Sequence, residues 1–341
     1  MKMWITRLLL VSLCLGIGLV GTVQAAGWVP VAMDAVGGRS YLFFDPEIAV
    51  GEPTLPPPQP DSEFTIAQGE TDLYHPSIAP GGMIVWYAHG SAGMDVLGLL
   101  MGADGVTPGE SQVIAGGAGD QVMPFVASDA GHGGYLVVWH DQRADIVDVY
   151  GRYLDAAGRP QGGAFAISTA KGDQLRPTAA YVPAADAFLV IWQDSRADPE
   201  PDIYGRLVPT YGRSSAGGGT RPLGKEWAIS ASRGGQYIPT AACENARPQC
   251  LVVWQDDRRF SSLFTDVMAQ LVDVDAERAI GDEIDVAVGV DYQYSPVVVF
   301  NAASDEYLVV WDDDISARRL SLSGRLLGNK ISISLESPHQ Y

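Results

Sequence analysis

Tyr135-Leu136-Val137-Val138-Trp139 is followed, after a short polar stretch, by Asp148-Val149-Tyr150-Gly151-Arg152, and this pair of strings decides the fold. The first recurs as Phe188-Leu-Val-Ile-Trp192, Cys250-Leu-Val-Val-Trp254 and Tyr307-Leu-Val-Val-Trp311, with a shorter version ending at Trp86. The second recurs from Asp95, Asp202, Asp266 and Asp314. Upstream of each tryptophan a proline opens another apolar stretch, at Pro76, Pro124, Pro177, Pro239 and Pro296. A further short stretch begins at Phe64, Gln112, Phe165, Trp227 and Ile284.

Each unit therefore holds four short stretches rich in Val, Ile, Phe, Tyr and Trp, separated by Gly, Asp, Asn and Pro turns, the pattern of four antiparallel strands. A sheet this small cannot bury both faces alone, and stacking such sheets into a ring solves the problem. The expected fold is all-β, a six-bladed β-propeller. Trp86, Trp139, Trp192, Trp254 and Trp311 would fill the gaps between adjacent sheets.

Five units are visible in full, at about 61–109, 110–162, 163–224, 225–281 and 282–328. The chain ends carry the parts of a sixth. Trp28-Val-Pro30 and Tyr41-Leu-Phe-Phe44 match the proline stretch and the tryptophan stretch, with Asp45 standing where the tryptophan belongs. Ile331-Ser-Ile-Ser334 matches Phe165-Ala-Ile-Ser168. Gln340-Tyr341 written before Val29-Pro30 regenerates the internal motif Gln236-Tyr-Ile-Pro239. The expectation is a blade split between 26–60 and 329–341, with the carboxy-terminal strand clasping the amino-terminal strands. Such a clasp would remove an exposed sheet edge.

Residues 1–25 read as a secretory signal. Lys2 and Arg7 precede an apolar run from Leu8 to Val23, and Val23-Gln24-Ala25 fits a small-residue cleavage site. The run is shorter than the ~20 apolar residues of a bilayer span. Residues 26–341 would then form one extracytoplasmic domain, periplasmic or secreted, without a membrane span. The formal net charge is −19, and loss of Lys2 and Arg7 makes it more negative still. Such a surface repels phosphate backbones, which argues against a nucleic-acid partner. Cys243 and Cys250 remain in the mature chain and are expected to pair as a disulfide in an oxidising compartment. A monomer is expected.

The string Leu-Val-Val-Trp-x-Asp-x-Arg followed by Asp-Ile-Tyr-Gly-Arg resembles the repeats of secreted bacterial propeller proteins and, more distantly, TolB-type propellers. The resemblance spans essentially the whole mature chain. It implies architecture and no particular activity, because propellers host unrelated functions.

Asp141 and Arg143, Asp194 and Arg196, and Asp256 and Arg258 recur in several units, which favours a structural role. The aspartates would accept backbone N–H groups in a turn and pair with the arginine. No metal or other cofactor is expected. Calcium is the one ion for which spacing offers a case, at Asp273-x-Asp275-x-Glu277 and Asp312-Asp313-Asp314. Arg278, however, stands where a calcium loop wants glycine. The histidines His75, His89, His132, His140 and His339 are scattered over different units and form no zinc motif.

Specific function belongs to the asymmetric parts. The excursion from Val208 to Lys225 carries Arg213 and Arg221 in an acidic protein, and the turn from Arg258 to Asp266 carries Phe260, Leu263 and Phe264. These two insertions are expected on opposite faces of the ring. Asp45 and Glu47 are further candidates, because Asp45 breaks the repeat. The leading functional reading is a non-enzymatic interaction module binding a protein or a glycan. A propeller hydrolase or lyase acting on polysaccharide is the alternative, and a rigid spacer in a surface assembly is a third.

Overall fold

The computed structural model describes residues 29–33, 41–45, 65–67, 72–105, 107–212, 214–215, 219–220, 223–259, 265–289, 293–312 and 315–333. For 29–33, 41–45, 214–215 and 219–220 the description is of the backbone alone. Residues 1–25, Glu47, Arg213, Arg221, Phe260, Leu263, Phe264, Asp313, Asp314 and His339 lie outside it. Asp45 is the last residue of a strand.

The strands are β1 (Val29–Met33), β2 (Tyr41–Asp45), β3 (Leu73–Ile78), β4 (Met83–His89), β5 (Met94–Leu100), β6 (Gln112–Ala115), β7 (Gln121–Ser128) and β8 (Tyr135–Asp141). They continue as β9 (Asp148–Leu154), β10 (Pro160–Ser168), β11 (Gln174–Val182), β12 (Ala187–Asp194), β13 (Asp202–Pro209), β14 (Ser214–Ser215), β15 (Gly219–Thr220) and β16 (Glu226–Ser230). The last are β17 (Gln236–Cys243), β18 (Gln249–Asp256), β19 (Asp266–Asp273), β20 (Arg278–Ala287), β21 (Tyr294–Asn301), β22 (Glu306–Asp312), β23 (Ser316–Ser321) and β24 (Leu326–Ser332). They build five four-stranded antiparallel sheets, β3 to β6, β7 to β10, β11-β12-β13-β16, β17 to β20 and β21 to β24. The first strands β3, β7, β11, β17 and β21 lie beside one another in that order, which gives the sequential blades of a β-propeller. No helix among the described residues is long and apolar enough to cross a membrane.

Both faces of each second strand are buried, which explains its unbroken apolar run. In β8, Leu136 and Val138 face Trp192 of the next blade, while Val137 and Trp139 face Met83 and Val85 of the preceding one. Trp254 meets Leu189 and Ile191, and Trp311 meets Leu251 and Val253, in the same arrangement. All five tryptophans are buried. Trp86, in the first blade, instead packs with Ile66, Leu73 and Leu97 beside a cavity of about 330 Å³.

Six blades closed by a carboxy-terminal clasp is corrected by this topology. There are five four-stranded blades among the described residues. The stretches expected to open each blade close the preceding one instead. Phe165, for example, pairs with Gly151 of β9. A tight turn at Asp155–Arg159, in which Asp155 Oδ1 accepts the Ala157 and Arg159 N–H groups, folds β10 straight back onto β9. The same geometry holds at the end of the chain. Ile331 and Ser332 pair with Ala317 and Ser316 of β23, so this segment is the outer strand of the last blade. Strands β1 and β2 form a two-stranded sheet of their own. β1 lies beside β3, and β2 beside β21.

Candidate functional site

The repeated polar set forms three copies of one device at the turn between the second and third strands. Trp139 Nε1 donates to Asp141 Oδ2 at 2.9 Å, and Arg143 clamps the same carboxylate through Nε at 2.7 Å and Nη2 at 2.5 Å. Trp192, Asp194 and Arg196 repeat this at 2.7, 2.8 and 2.6 Å. Trp254, Asp256 and Arg258 repeat it at 2.8, 2.7 and 2.5 Å. The guanidinium of Arg143 lies 4.0 Å from the ring centroid of Tyr150, and that of Arg196 lies 4.0 Å from Tyr204. Glu226 adds a second carboxylate to Arg196, and Glu283 one to Arg258.

Burial alone would raise the Asp141 pKa, but hydrogen bonds from Arg143 and Trp139 outweigh it and hold the carboxyl below the ordinary range. Both oxygens of each aspartate are engaged, so these groups fix the turn and the tryptophan. In the first blade Ala88 takes the aspartate position. Trp86 Nε1 then has no hydrogen-bond partner among the described residues.

Cys243 and Cys250 are directly opposite in the β17–β18 ladder and joined as a disulfide. Asp273 accepts the Ala276 N–H at 3.0 Å, which makes it a turn residue of the β19–β20 hairpin.

One asymmetric cluster stands out, and it lies on the opposite face from the arginine clamps, in the turns after β7 and β11. Asp129 follows β7 and is 5% exposed. Its Oδ1 accepts the N–H groups of Gly131 and His132, both at 3.0 Å. The His132 ring reaches Asp129 Oδ2 through Nδ1 at 2.8 Å, and the same nitrogen lies 3.4 Å from Asp186 Oδ1 of the next blade. Asp186 has a φ of 50°, a left-handed conformation that aspartate tolerates. Tyr181 Oη donates to its Oδ1 at 3.3 Å and Thr210 Oγ1 at 3.2 Å. Burial, and then the charges of Asp129 and Asp186, push the Tyr181 hydroxyl pKa upward, so it remains a donor.

Directly after Thr210 comes Tyr211, which is 54% exposed. Its ring tilts against Tyr153 at 5.4 Å, and Tyr153 stacks on Phe165 at 5.0 Å. Tyr153 Oη donates to the Pro209 carbonyl at 2.6 Å, which ties the second blade to the end of β13, two residues before Tyr211. The structure thus assembles Asp129, His132, Asp186 and Tyr211, none of which the repeat motif singles out as a group. A signal was present: Asp129 and His132 stand five and eight residues after Pro124, and Asp186 nine after Pro177, which places them in equivalent turns of consecutive units.

No family model and no curated protein matches this chain. Solved structures with a similar fold include TolB from Acinetobacter baumannii, with a TM-score of 0.47 and 13% identity over 88% of this chain. The match spans 62% of the TolB chain. An α-L-arabinanase from Penicillium chrysogenum gives 0.41 and 11% over 78% of this chain and 94% of its own. The catalytic domain of a GH62 α-L-arabinofuranosidase from Coprinopsis cinerea gives 0.41 and 10% over 70% of this chain and 83% of its own. At such identities the likeness carries no residue role and no activity across.

Proposed function

We propose that this chain is a non-enzymatic, extracytoplasmic binding module that holds a glycan where its second and third blades meet. The β1–β2 hairpin would close the ring between β21 and β3, and export would follow from the signal pattern of residues 1–25. The observation that carries the reading is the step from Asp186 through Thr210 to Tyr211. Asp186 is a partly exposed hydroxyl acceptor, held in place by Tyr181 and Thr210. The exposed Tyr211 ring, backed by Tyr153, offers a flat apolar face one residue further on. A sugar presents this same pair of surfaces, an apolar face of C–H groups and a rim of hydroxyls.

The hydrolase reading rests on the approach of Asp129 and Asp186 to one imidazole. Glycoside cleavage needs two carboxylates placed across the scissile bond, each able to exchange a proton or attack. Asp129 is buried and has both oxygens engaged by its own turn and by His132. That favours binding over cleavage.

A glycan array with the mature protein tests the proposal. Saturable binding to a defined sugar set is expected, lowered ~10-fold or more by Tyr211→Ala, as loss of an aromatic anchor generally does. New reducing ends released from the bound glycan would establish the hydrolase instead. A blank array, with calcium and with chelator, would overturn the glycan reading and turn the search to a protein partner at the Phe260–Phe264 turn.

A further inference from the structure

We infer that Asp129, His132 and Asp186 form a site for a first-row divalent cation such as zinc. One donor atom from each residue lies within 4.8 Å of the others, on turns of two consecutive blades. Tetrahedral bonds of about 2.0–2.1 Å set neighbouring donors about 3.4 Å apart. His132 Nδ1 is 3.4 Å from Asp186 Oδ1, which matches that spacing, and 2.8 Å from Asp129 Oδ2, a contact that would open by about 0.6 Å on binding.

The His132 ring nitrogen contacts both Asp129 oxygens, Oδ1 at 2.9 Å and Oδ2 at 2.8 Å, and Oδ1 also accepts the two backbone N–H groups. A cation can therefore replace the proton between Nδ1 and Oδ2 without disturbing the turn. The Gly131 and His132 amides behind Asp129, and Tyr181 and Thr210 behind Asp186, orient the ligands as outer partners do in metal sites.

Charge points the same way. The equivalent turn of the fourth blade holds Glu244 against Arg247 at 2.5 Å, one carboxylate facing one permanent cation. At Asp129 a histidine takes the arginine position and Asp186 comes in from the next blade. Two carboxylates then share an imidazole that can supply at most one positive charge. The nitrogen donor and the small number of protein ligands select a transition metal over calcium, which takes six to eight oxygens. The remaining coordination position faces solvent, since His132 and Asp186 are each about one-third exposed.

Cobalt(II) titration of the full protein, read by its visible absorption, and zinc titration by calorimetry test the site. One equivalent per chain is expected, with proton release on binding. His132→Ala and Asp186→Asn should each weaken binding by ~10-fold or more, as loss of a site residue does. Both are partly exposed turn residues, and each variant's metal-free unfolding curve verifies its fold independently. No saturable uptake, or uptake of equal strength in both variants, would overturn the site. The titrations contain no sugar, so their failure and a blank glycan array are separate outcomes.

Discussion

His140 Nδ1 accepts the backbone N–H of Arg176 at 3.4 Å, linking the second blade to the first strand of the third. Gln193 Oε1 accepts the Ile238 N–H at 3.0 Å, and Gln255 Oε1 the Ser295 N–H at 3.4 Å, across the next two junctions. Each acceptor is the residue between the tryptophan and the aspartate of its repeat. Each donor precedes a repeat proline and has a left-handed backbone, with φ of 50°, 53° and 49°. Proline disfavours the helical region for the residue before it. The strand here forms a bulge where its ladder register shifts. A bulge leaves an amide outside the ladder, and the neighbouring blade supplies its acceptor.

His140 makes that latch sensitive to acid. Burial first, then the charges of Arg176 and His75, lower its pKa to about 4 from an ordinary 6.5. Between those values the unfolded chain binds a proton that the folded chain refuses. The stability conferred by neutral His140 is therefore fully present above pH 6.5 and is lost as the pH falls toward 4. His140→Gln substitutes the acceptor found at the next two junctions, which does not titrate. Melting temperatures from pH 4 to 8 should fall less steeply on the acid side in this variant. An unchanged acid limb would show that His140 does not govern it.

The arginine clamps make a different prediction. Asp194 is fully buried and neutralises Arg196 while accepting the Trp192 indole N–H. Asp194→Ala strands the Trp192 indole N–H and leaves Arg196 paired with Glu226 alone, and an orphaned buried donor of this kind costs about 1–3 kcal/mol. A loss of unfolding free energy of that size, read from urea titration, is expected, with glycan binding retained by the fraction that folds. A loss of binding without loss of stability would assign the clamp to the site.

Strand content, blade cores and the clamp were legible because each repeats: the tryptophan ending the apolar run packs in the same way in four of the five sheets, Trp86 being the exception. Blade phase was not. A four-stranded period reads identically from any strand, and only the Asp155–Arg159 turn decides that Phe165 closes one sheet rather than opening the next. That one-strand offset turned Ile331-Ser332 from the outer strand of the last blade into an imagined clasp. The Asp129–His132–Asp186 cluster was hidden because its members come from two repeats and depart from both. Lone histidines in turns carry no spacing signal until the blades are laid side by side.

The disulfide should act locally. Cys243 and Cys250 are seven residues apart, so the bond closes a short hairpin loop. In the chain-entropy account a loop of this length contributes about 2 kcal/mol. Replacing both cysteines with alanine should lower the unfolding free energy by that amount under oxidising conditions. Under reducing conditions the two proteins should converge. A difference that persists in reductant would point to side-chain packing around Cys250, which is buried, rather than to the bond.

Asp202 reverses the pH argument of His140. It sits directly opposite Asp194 in the β12–β13 ladder, and like charges facing each other across strands are destabilising. Burial, and then the charges of Asp198 and Asp194, raise its pKa to about 6 from 3.8. The folded chain therefore holds a proton that the unfolded chain releases. That contribution to stability is full below pH 3.8 and is lost as the pH rises through 6. Asp202→Asn keeps the shape and removes the charge. Its melting temperature should match the parent near pH 4 and exceed it increasingly between pH 5 and 7. Equal melting temperatures across that range would mean that Asp202 stays ionised in the fold, with the Arg196 charge sufficient for both carboxylates.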